Sequence, residues 1–464
     1  MKNVFLFIFC LLSFNLVAND LKSQIDEDIQ GVMTKVVEWR HHLHEYPELS
    51  NREYQTAEYI KEKLEGLGLE VNSGIAFTGL TAFIRGDNPG PLIALRADMD
   101  ALPVTEKLNL PFSSKQVTTY QGREVGVMHA CGHDAHMAVL LGVAEFLSKN
   151  TDKLNGDIML IFQPAEEGSP EGEEGGAELM LKEGIFDEEK PDVIFGMHVT
   201  NAPHGIVVTK PGPMMASSEA FRIKVLGKQT HGSRPWGGID PVVAAADIVT
   251  TLQTIVSRRL NILDSQAVIT VGIIQGGTRN NIIPDEVFME GTIRTFDESY
   301  RDKIHEEITT VATNVASAHN AEVEIQFAPY GSYPVTINDP ELTKQLMPSL
   351  ANASNGKFFE MPVPRTGAED FSFFAQQVPG LYFFIGVNPE NQDSPFTNHS
   401  PYFYVDDDAL DAGVKSFVHL VQDYSEIYNN KSIFGIVLLR LSSVSTYSLT
   451  NLKITFFTDS TSFI

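Results

Sequence analysis

Three histidines, an aspartate and a cysteine fall within ten residues in MHACGHDAHM, 128–137. Cys131 and His133 stand two apart in that stretch. Three later stretches carry groups of the same kind: Glu166-Glu167 in FQPAEEG, His198 in FGMHV and His399 in TNHSPYF. Thiolate, imidazole and carboxylate together suit zinc, and also cobalt or manganese. Taken singly, each is weak. A lone histidine is more often structural or exposed, and a Glu-Glu pair is more often a solvated loop. Glu171, Glu173 and Glu174, in the Gly-rich stretch that follows, take that plainer reading. The joint, ordered occurrence of the four stretches is what points to a metal centre.

The adjacent carboxylates have a physical use. On a straight strand, neighbouring side chains face opposite ways. At a bend after Pro164, one of the two can bind metal while the other faces the water that the metal activates. A metallohydrolase needs that division of labour. The metal lowers the water's pKa and polarises a carbonyl, and the second carboxylate moves the proton to the leaving amine.

The chain holds two cysteines, Cys10 and Cys131. Cys10 lies in VFLFIFCLLSFNLV, 4–17, which follows Met1-Lys2-Asn3 and precedes Ala18. That order predicts a cleavable secretory signal over 1–18, and the apolar run is too short to span a bilayer. A secreted or periplasmic protein without membrane attachment is the expectation. Cleavage removes Cys10 and leaves Cys131 with no intramolecular partner. An unpaired thiol in an exported chain calls for an explanation. A metal ion would hold it as thiolate, and the plain alternative is a buried, inert cysteine.

The elements that must position these groups read as follows. Apolar residues at helical spacing predict helices over 26–45 and 52–66. Strands are expected at 80–84 and 92–96, the second running into Arg96-Ala97-Asp98-Met99-Asp100. A helix follows the Cys131 motif, and 157–162 and 193–199 read as strands. Strands alternating with helices predict an α/β domain with a mixed, mostly parallel sheet and helices on both faces. Ligands gather beyond the carboxyl ends of such strands. From 213 to 320 the pattern becomes alternating strands with helices at 241–260 and 301–319. This predicts an inserted α+β domain between catalytic segments 26–212 and 321–428, the latter with a strand in PGLYFFIGV and a helix at 406–428. The tail, 429–464, is rich in Ser, Thr and apolar residues and nearly free of acids. It reads as an atypical appendage.

Composition is that of a globular protein, 43% hydrophobic and 20% charged, and the net charge of −26 argues against a nucleic-acid partner.

The chain resembles the M20 metallopeptidase family, most closely its amidohydrolase branch of hippurate hydrolases, N-acyl-amino-acid amidohydrolases and auxin-conjugate hydrolases. The stretches that carry the resemblance are WRHHLHEYPELS, LRADMDALPVTE, MHACGHDAHMA, FQPAEEG, GMHV, GKQTHGSRPWGGIDPV, GGTRNNIIPDEVFMEGTIRTF, GAEDFSFF and TNHSPYF. The resemblance implies a site for two divalent metals, held by Cys131, His133, Glu167, His198 and His399, with Glu166 as general base. Cys131 would bridge the metals. The inserted domain would act as lid and dimerisation surface of a homodimer. Its His231 would polarise the scissile carbonyl, in its own or the partner subunit's site. Asn281 and Arg294 would hold the substrate, Arg294 through a free carboxylate. The expected substrate is a small N-acyl amino acid. A dipeptidase or carboxypeptidase using the same site is the alternative.

Other groups read more plainly. His41, His42 and His44 are expected to be structural or exposed. His129 and His136 are expected to pack beside the metal motif, and Asp98 and Asp100 to orient its histidines. GGTRNNIIP lacks the Lys-Ser/Thr close of a phosphate loop.

Overall fold

The computed structural model describes residues 25–390 and 396–444, with side chains through 431. The expected signal over 1–18 and the last part of the tail, 445–464, lie outside the described residues.

Eight strands form the main sheet. Their spatial order is Val71–Ile75, Gly79–Ile84, Asn155–Gln163, Asn88–Asp98, Val193–Thr200, Gly380–Gly386, Val207–Thr209 and Phe358–Glu360. The three central pairings are parallel, and those on either side of them are antiparallel. Every residue of Val193–Thr200 and of Gly380–Gly386 is buried. Near-continuous apolar strands are what a sheet covered on both faces requires.

Alternation along the strands feeds two cores. Ile93, Leu95, Ala97, Ile158 and Leu160 face the helices 25–45, His133–Ser148 and Asp411–Val444. Ala94, Met159 and Ile161 face the other way, toward Met180, Phe371 and Phe374. The expected α/β architecture with helices on both faces is therefore present.

A four-stranded antiparallel sheet is inserted in this domain, in the order Ala267–Gly276, Glu286–Thr295, Ser218–Leu226, Glu322–Tyr333. Helices Pro241–Thr254 and Glu298–Ala318 pack on it, and Phe221, Ile223, Val225, Ile248, Leu252, Ile304 and Ile308 form its separate core.

The expected boundaries at 213 and 320 need correction. Strand Glu322–Tyr333 pairs with Ser218–Leu226, so the insertion runs to Tyr333. Gly212–Met215 pairs instead with Thr336–Asn338, which closes the base of the insertion from the main-domain side. The C-terminal helix differs too. Expected at 406–428, it runs from Asp411 to Val444, so the tail's first part continues it. The segment NNKSIFGIVLLRLSSV has helix formers only in Lys431 and Leu438 to Leu441, and its one glycine, Gly435, does not stop the helix. Among the described residues, no helix is long and apolar enough to cross a membrane.

Candidate active site

The donor groups collect at the carboxyl ends of the central strands. Asp98 ends one strand and Gln163 ends its neighbour. His198 lies near the end of the third, paired with Phe384 of the fourth. Past Gln163 the chain bends at Ala165, whose φ is 53°. That left-handed bend carries Glu166 and Glu167 over the strand ends. His399 also adopts a positive φ, 70°. Unfavourable backbone held beside a cluster of donors is a mark of functional sites. Cys131 and His133 arrive on the turn into helix His133–Ser148. Gly132 makes that turn at φ 92°, and a Cβ there would come 2.3 Å from Val199. Only glycine lets the motif sit this close to the sheet.

Five overlapping donor triads result among the described residues, and two of them share one sulfur. Cys131, His133 and His198 form one, and Cys131, Glu167 and His399 form the other, with donor atoms of each triad within 4.8 Å of one another. The Cys131 Sγ lies 3.3 Å from Nε2 of His198 and 3.3 Å from Nε2 of His399. His399 Nε2 is 3.1 Å from Glu167 Oε1. Glu166 and Glu167 approach His133 Nε2 at 3.9 and 4.0 Å.

The residues fit a pair of cations. The Nε2 of His133, which points at the cluster, is buried without a hydrogen-bond partner, and buried polar atoms are normally satisfied. Burial, with Glu167 and Glu166 beside it, pushes the Cys131 thiol well up. Burial, then Glu369 and Glu167, push the Glu166 carboxyl well above the usual range. Positive charge between these groups relieves both. The chain thus carries a dinuclear divalent-metal site.

Carboxylates orient the histidines from behind. His133 Nδ1 is 3.3 Å from Asp100 and 3.6 Å from Asp98. Burial lowers the His133 pKa, but Asp98 and Asp100 outweigh it and lift it to about 10. Asp100 also accepts from the backbone N–H groups of Glu166 and Glu167, at 3.1 and 3.0 Å. His136 Nδ1 meets Asp98 at 2.6 Å, and its Nε2 accepts from the Val199 N–H. The expected supporting roles of His136, Asp98 and Asp100 agree with these contacts. His129 is buried with neither ring nitrogen satisfied, and burial lowers its pKa to about 3.

A buried ion cluster below the site went unread in the sequence. Arg96 spans Asp98 at 2.7 Å, Glu369 at 2.9 Å and Asp370 at 2.9 Å, and donates to Gln163 at 2.8 Å. Tyr382 donates to Glu369 at 2.6 Å. Tyr333 donates to the Glu166 carbonyl at 2.6 Å. A second acidic pair, Glu369-Asp370, set in an apolar run, was the available signal.

The cavity over the cluster measures about 1120 Å³. Its walls include Cys131, Glu166, Glu167, His198 and His399, and Arg294 reaches it from the inserted domain. His231 and Asn281 do not line it. They sit together and exposed on the inserted domain, where Gly232 donates to the Asn281 carbonyl at 2.8 Å.

Comparison with known proteins agrees with this architecture. A thermostable carboxypeptidase of Saccharolobus solfataricus is 40% identical over 88% of this chain and 99% of its own. An N-acetyl-L-cysteine deacetylase of Bacillus subtilis is 38% identical over 80% of this chain and 83% of its own. The solved structure of a dinuclear metal-binding M20 peptidase from Bacillus subtilis is 33% identical, with a TM-score of 0.70, over 86% of this chain and 99% of that one. The model of peptidase family M20/M25/M40 matches residues 94–423. The chain is a metal-dependent hydrolase of amide or peptide bonds, and it belongs to the M20/M25/M40 peptidase family.

Proposed function

We propose that the protein is an exo-acting carboxypeptidase that releases an amino acid bearing a free carboxylate from small N-blocked peptides. One observation carries the reading: two donor triads sharing the Cys131 sulfur lie beside Glu166 in a cavity that also holds Arg294. The reading from sequence put N-acyl amino acids ahead of peptides. The carboxypeptidase relative, 40% identical, supports the reverse order. Cleavage of N-acyl amino acids stays as the second reading, supported by the deacetylase relative. Both reactions break an amide to an amino acid with a free carboxylate.

In this proposal Cys131, His133, Glu167, His198 and His399 hold two divalent cations. When bound, these acidify a water and polarise the scissile carbonyl. Glu166 takes the proton from the attacking water and delivers it to the leaving amine. Tyr333 and Asp100 fix its backbone at the carbonyl and the N–H. Arg294 takes the substrate carboxylate, to which its planar fork is suited. His231 and Asn281, exposed on the inserted domain, belong in the proposal to a homodimer in which each subunit completes the other's site. Export after cleavage near Ala18 is part of the same proposal, checked by N-terminal sequencing of the mature protein.

The deciding experiment compares N-benzyloxycarbonyl dipeptides, N-acetyl amino acids and unblocked dipeptides on the metal-loaded protein. Turnover of the blocked dipeptides, abolished by a chelator and restored by zinc, manganese or cobalt, is the expected result. Turnover of unblocked dipeptides alone would overturn it.

A further inference from the structure

About half of the described guanidiniums of this acidic chain rest against carboxylates. Arg40 meets Asp134, Arg85 meets Glu189, Arg96 meets Asp98, and Arg222 meets Glu290. Two that line the active-site cavity do not. Among the described residues, neither Arg294 nor Arg365 has a carboxylate partner. Burial alone holds both below the ordinary guanidinium range. A half-buried cation without a counter-ion is costly unless an anion fills the space before it.

Arg365 is held rigidly. Its N–H donates to the Met214 carbonyl at 3.0 Å, and its carbonyl accepts from Ala216 at 3.0 Å. Its guanidinium carbon lies 4.0 Å from the centre of the Phe384 ring. One N–H group donates to the Thr200 hydroxyl at 3.0 Å. A guanidinium has five such donors, so the rest are free to receive a ligand. Phe384 in turn packs on His198, ring centres 5.9 Å apart. The stacked cation therefore stands one ring away from the donor cluster. Arg294 faces the same cavity from the inserted domain, so the two cations arrive on different walls.

We propose that Arg365 is a specificity-determining residue that reads a second carboxylate on the substrate, beyond the one assigned to Arg294. The inference rests on the proposed function and names its substrate class: dianionic peptides or acyl amino acids. The second carboxylate sits either on the side chain of the departing amino acid or on the acyl half. A stacked, planar fork favours a bidentate carboxylate, which a lysine at this position would not match. The chain carries a net charge of −26 and repels such substrates at long range. Local cations on the cavity wall offset that repulsion where it matters.

The test uses isosteric pairs that differ only in charge, on the metal-loaded full-length protein. N-benzoyl-glutamate against N-benzoyl-glutamine places the charge on the departing residue. N-acetyl-glutamyl-alanine against N-acetyl-glutaminyl-alanine places it on the acyl half. The acid is expected to exceed its amide in kcat/KM by about tenfold or more in one pair, the size of a charge-assisted hydrogen bond. Arg365→Met brings that ratio to within about twofold, whatever the absolute rate, and Arg365→Lys leaves an intermediate ratio. Calorimetry on Glu166→Gln should show the same ratio in Kd. Ratios near one in both pairs, or a ratio unmoved by Arg365→Met, would overturn the inference and leave the proposed function standing. Neither binding nor cleavage of any of the four compounds would overturn the inference, while turnover of N-benzyloxycarbonyl dipeptides decides the proposed function separately.

Discussion

At the scale of single residues, Cys131 is the hinge of the site, because its sulfur belongs to both donor triads. Removing it should weaken both cation positions at once, whereas removing His198 or His399 touches one triad each. Cys131→Ala is therefore expected to bind at most one divalent ion per chain, by elemental analysis of the purified protein. Cys131→Asp, whose carboxylate can also bridge two ions, should recover most of the second. Two ions retained by Cys131→Ala would show that the sulfur is a bystander. Glu166 makes the opposite prediction. Glu166→Gln removes the proposed proton carrier and leaves the two shared-sulfur triads intact. Metal content should stay at two while kcat falls by roughly 10²–10⁴-fold. His399 is over half exposed at the cavity rim, and the other four proposed ligands are buried or nearly so. Its ion should exchange faster, so partial chelation is expected to empty the His399 triad first.

At the scale of elements, the site is a property of strand ends. Four neighbouring strands deliver Asp98, the Glu166-Glu167 bend, His198 and Phe384 to one edge of the sheet. Arg96 ties those ends together from below, bonding Asp98, Gln163, Glu369 and Asp370. Arg96→Met would strand three buried carboxylates. A loss of about 3–5 kcal/mol in urea unfolding is the expected result, and a neutral change would mean the cluster relaxes freely. Much of this level was legible. DIMLIF and VIFGMHV read as buried strands because both faces are covered, and the metal-type residues stood at their ends. The inserted domain was legible as a change to alternating strands, but its far boundary was not. EVEIQFAPYGSY alternates with only half-buried inward residues, so its membership in the insertion rests on pairing with Ser218–Leu226 rather than on its own pattern. Helix Pro340–Ala353 also went unread, although Asp339 caps it by accepting from Glu341 and Leu342. The Arg96 cluster was legible only as separate groups, an arginine at a strand end and a distant acidic pair, because residues 96 and 369–370 are joined only by the fold.

At the scale of the whole molecule, the N-terminal helix 25–45 is clamped to distant parts of the chain by buried charge. Arg40 bonds Asp134 at 3.0 Å and the carbonyl of Val405 at 3.0 Å, and reaches Asp407 as well. His44 lies 2.9 Å from Asp134 and 3.5 Å from Glu106. Burial alone would lower the His44 pKa, but Asp134 and then Glu106 outweigh it and lift it to about 8. An imidazole in the unfolded chain titrates near 6.5. The folded protein therefore holds this proton more tightly, and the imidazolium stabilises the fold fully below about pH 6.5. As pH rises through about 8 the proton leaves in both states and that contribution disappears. The shift corresponds to roughly 2 kcal/mol. Thermal unfolding of the metal-loaded protein should show Tm declining between pH 6.5 and 8.5. His44→Asn should be less stable at pH 6 and should lose that part of the slope. An equal decline in both proteins would place the pH dependence elsewhere. Because Asp134 follows directly on His133, the same clamp sets the first turn of the helix that carries the metal motif. Loosening it is expected to lower metal affinity as well as Tm, and a chelator titration at pH 6 and pH 9 would register the coupling as weaker retention of metal at the higher pH in the native protein than in a His44→Lys variant that keeps its charge.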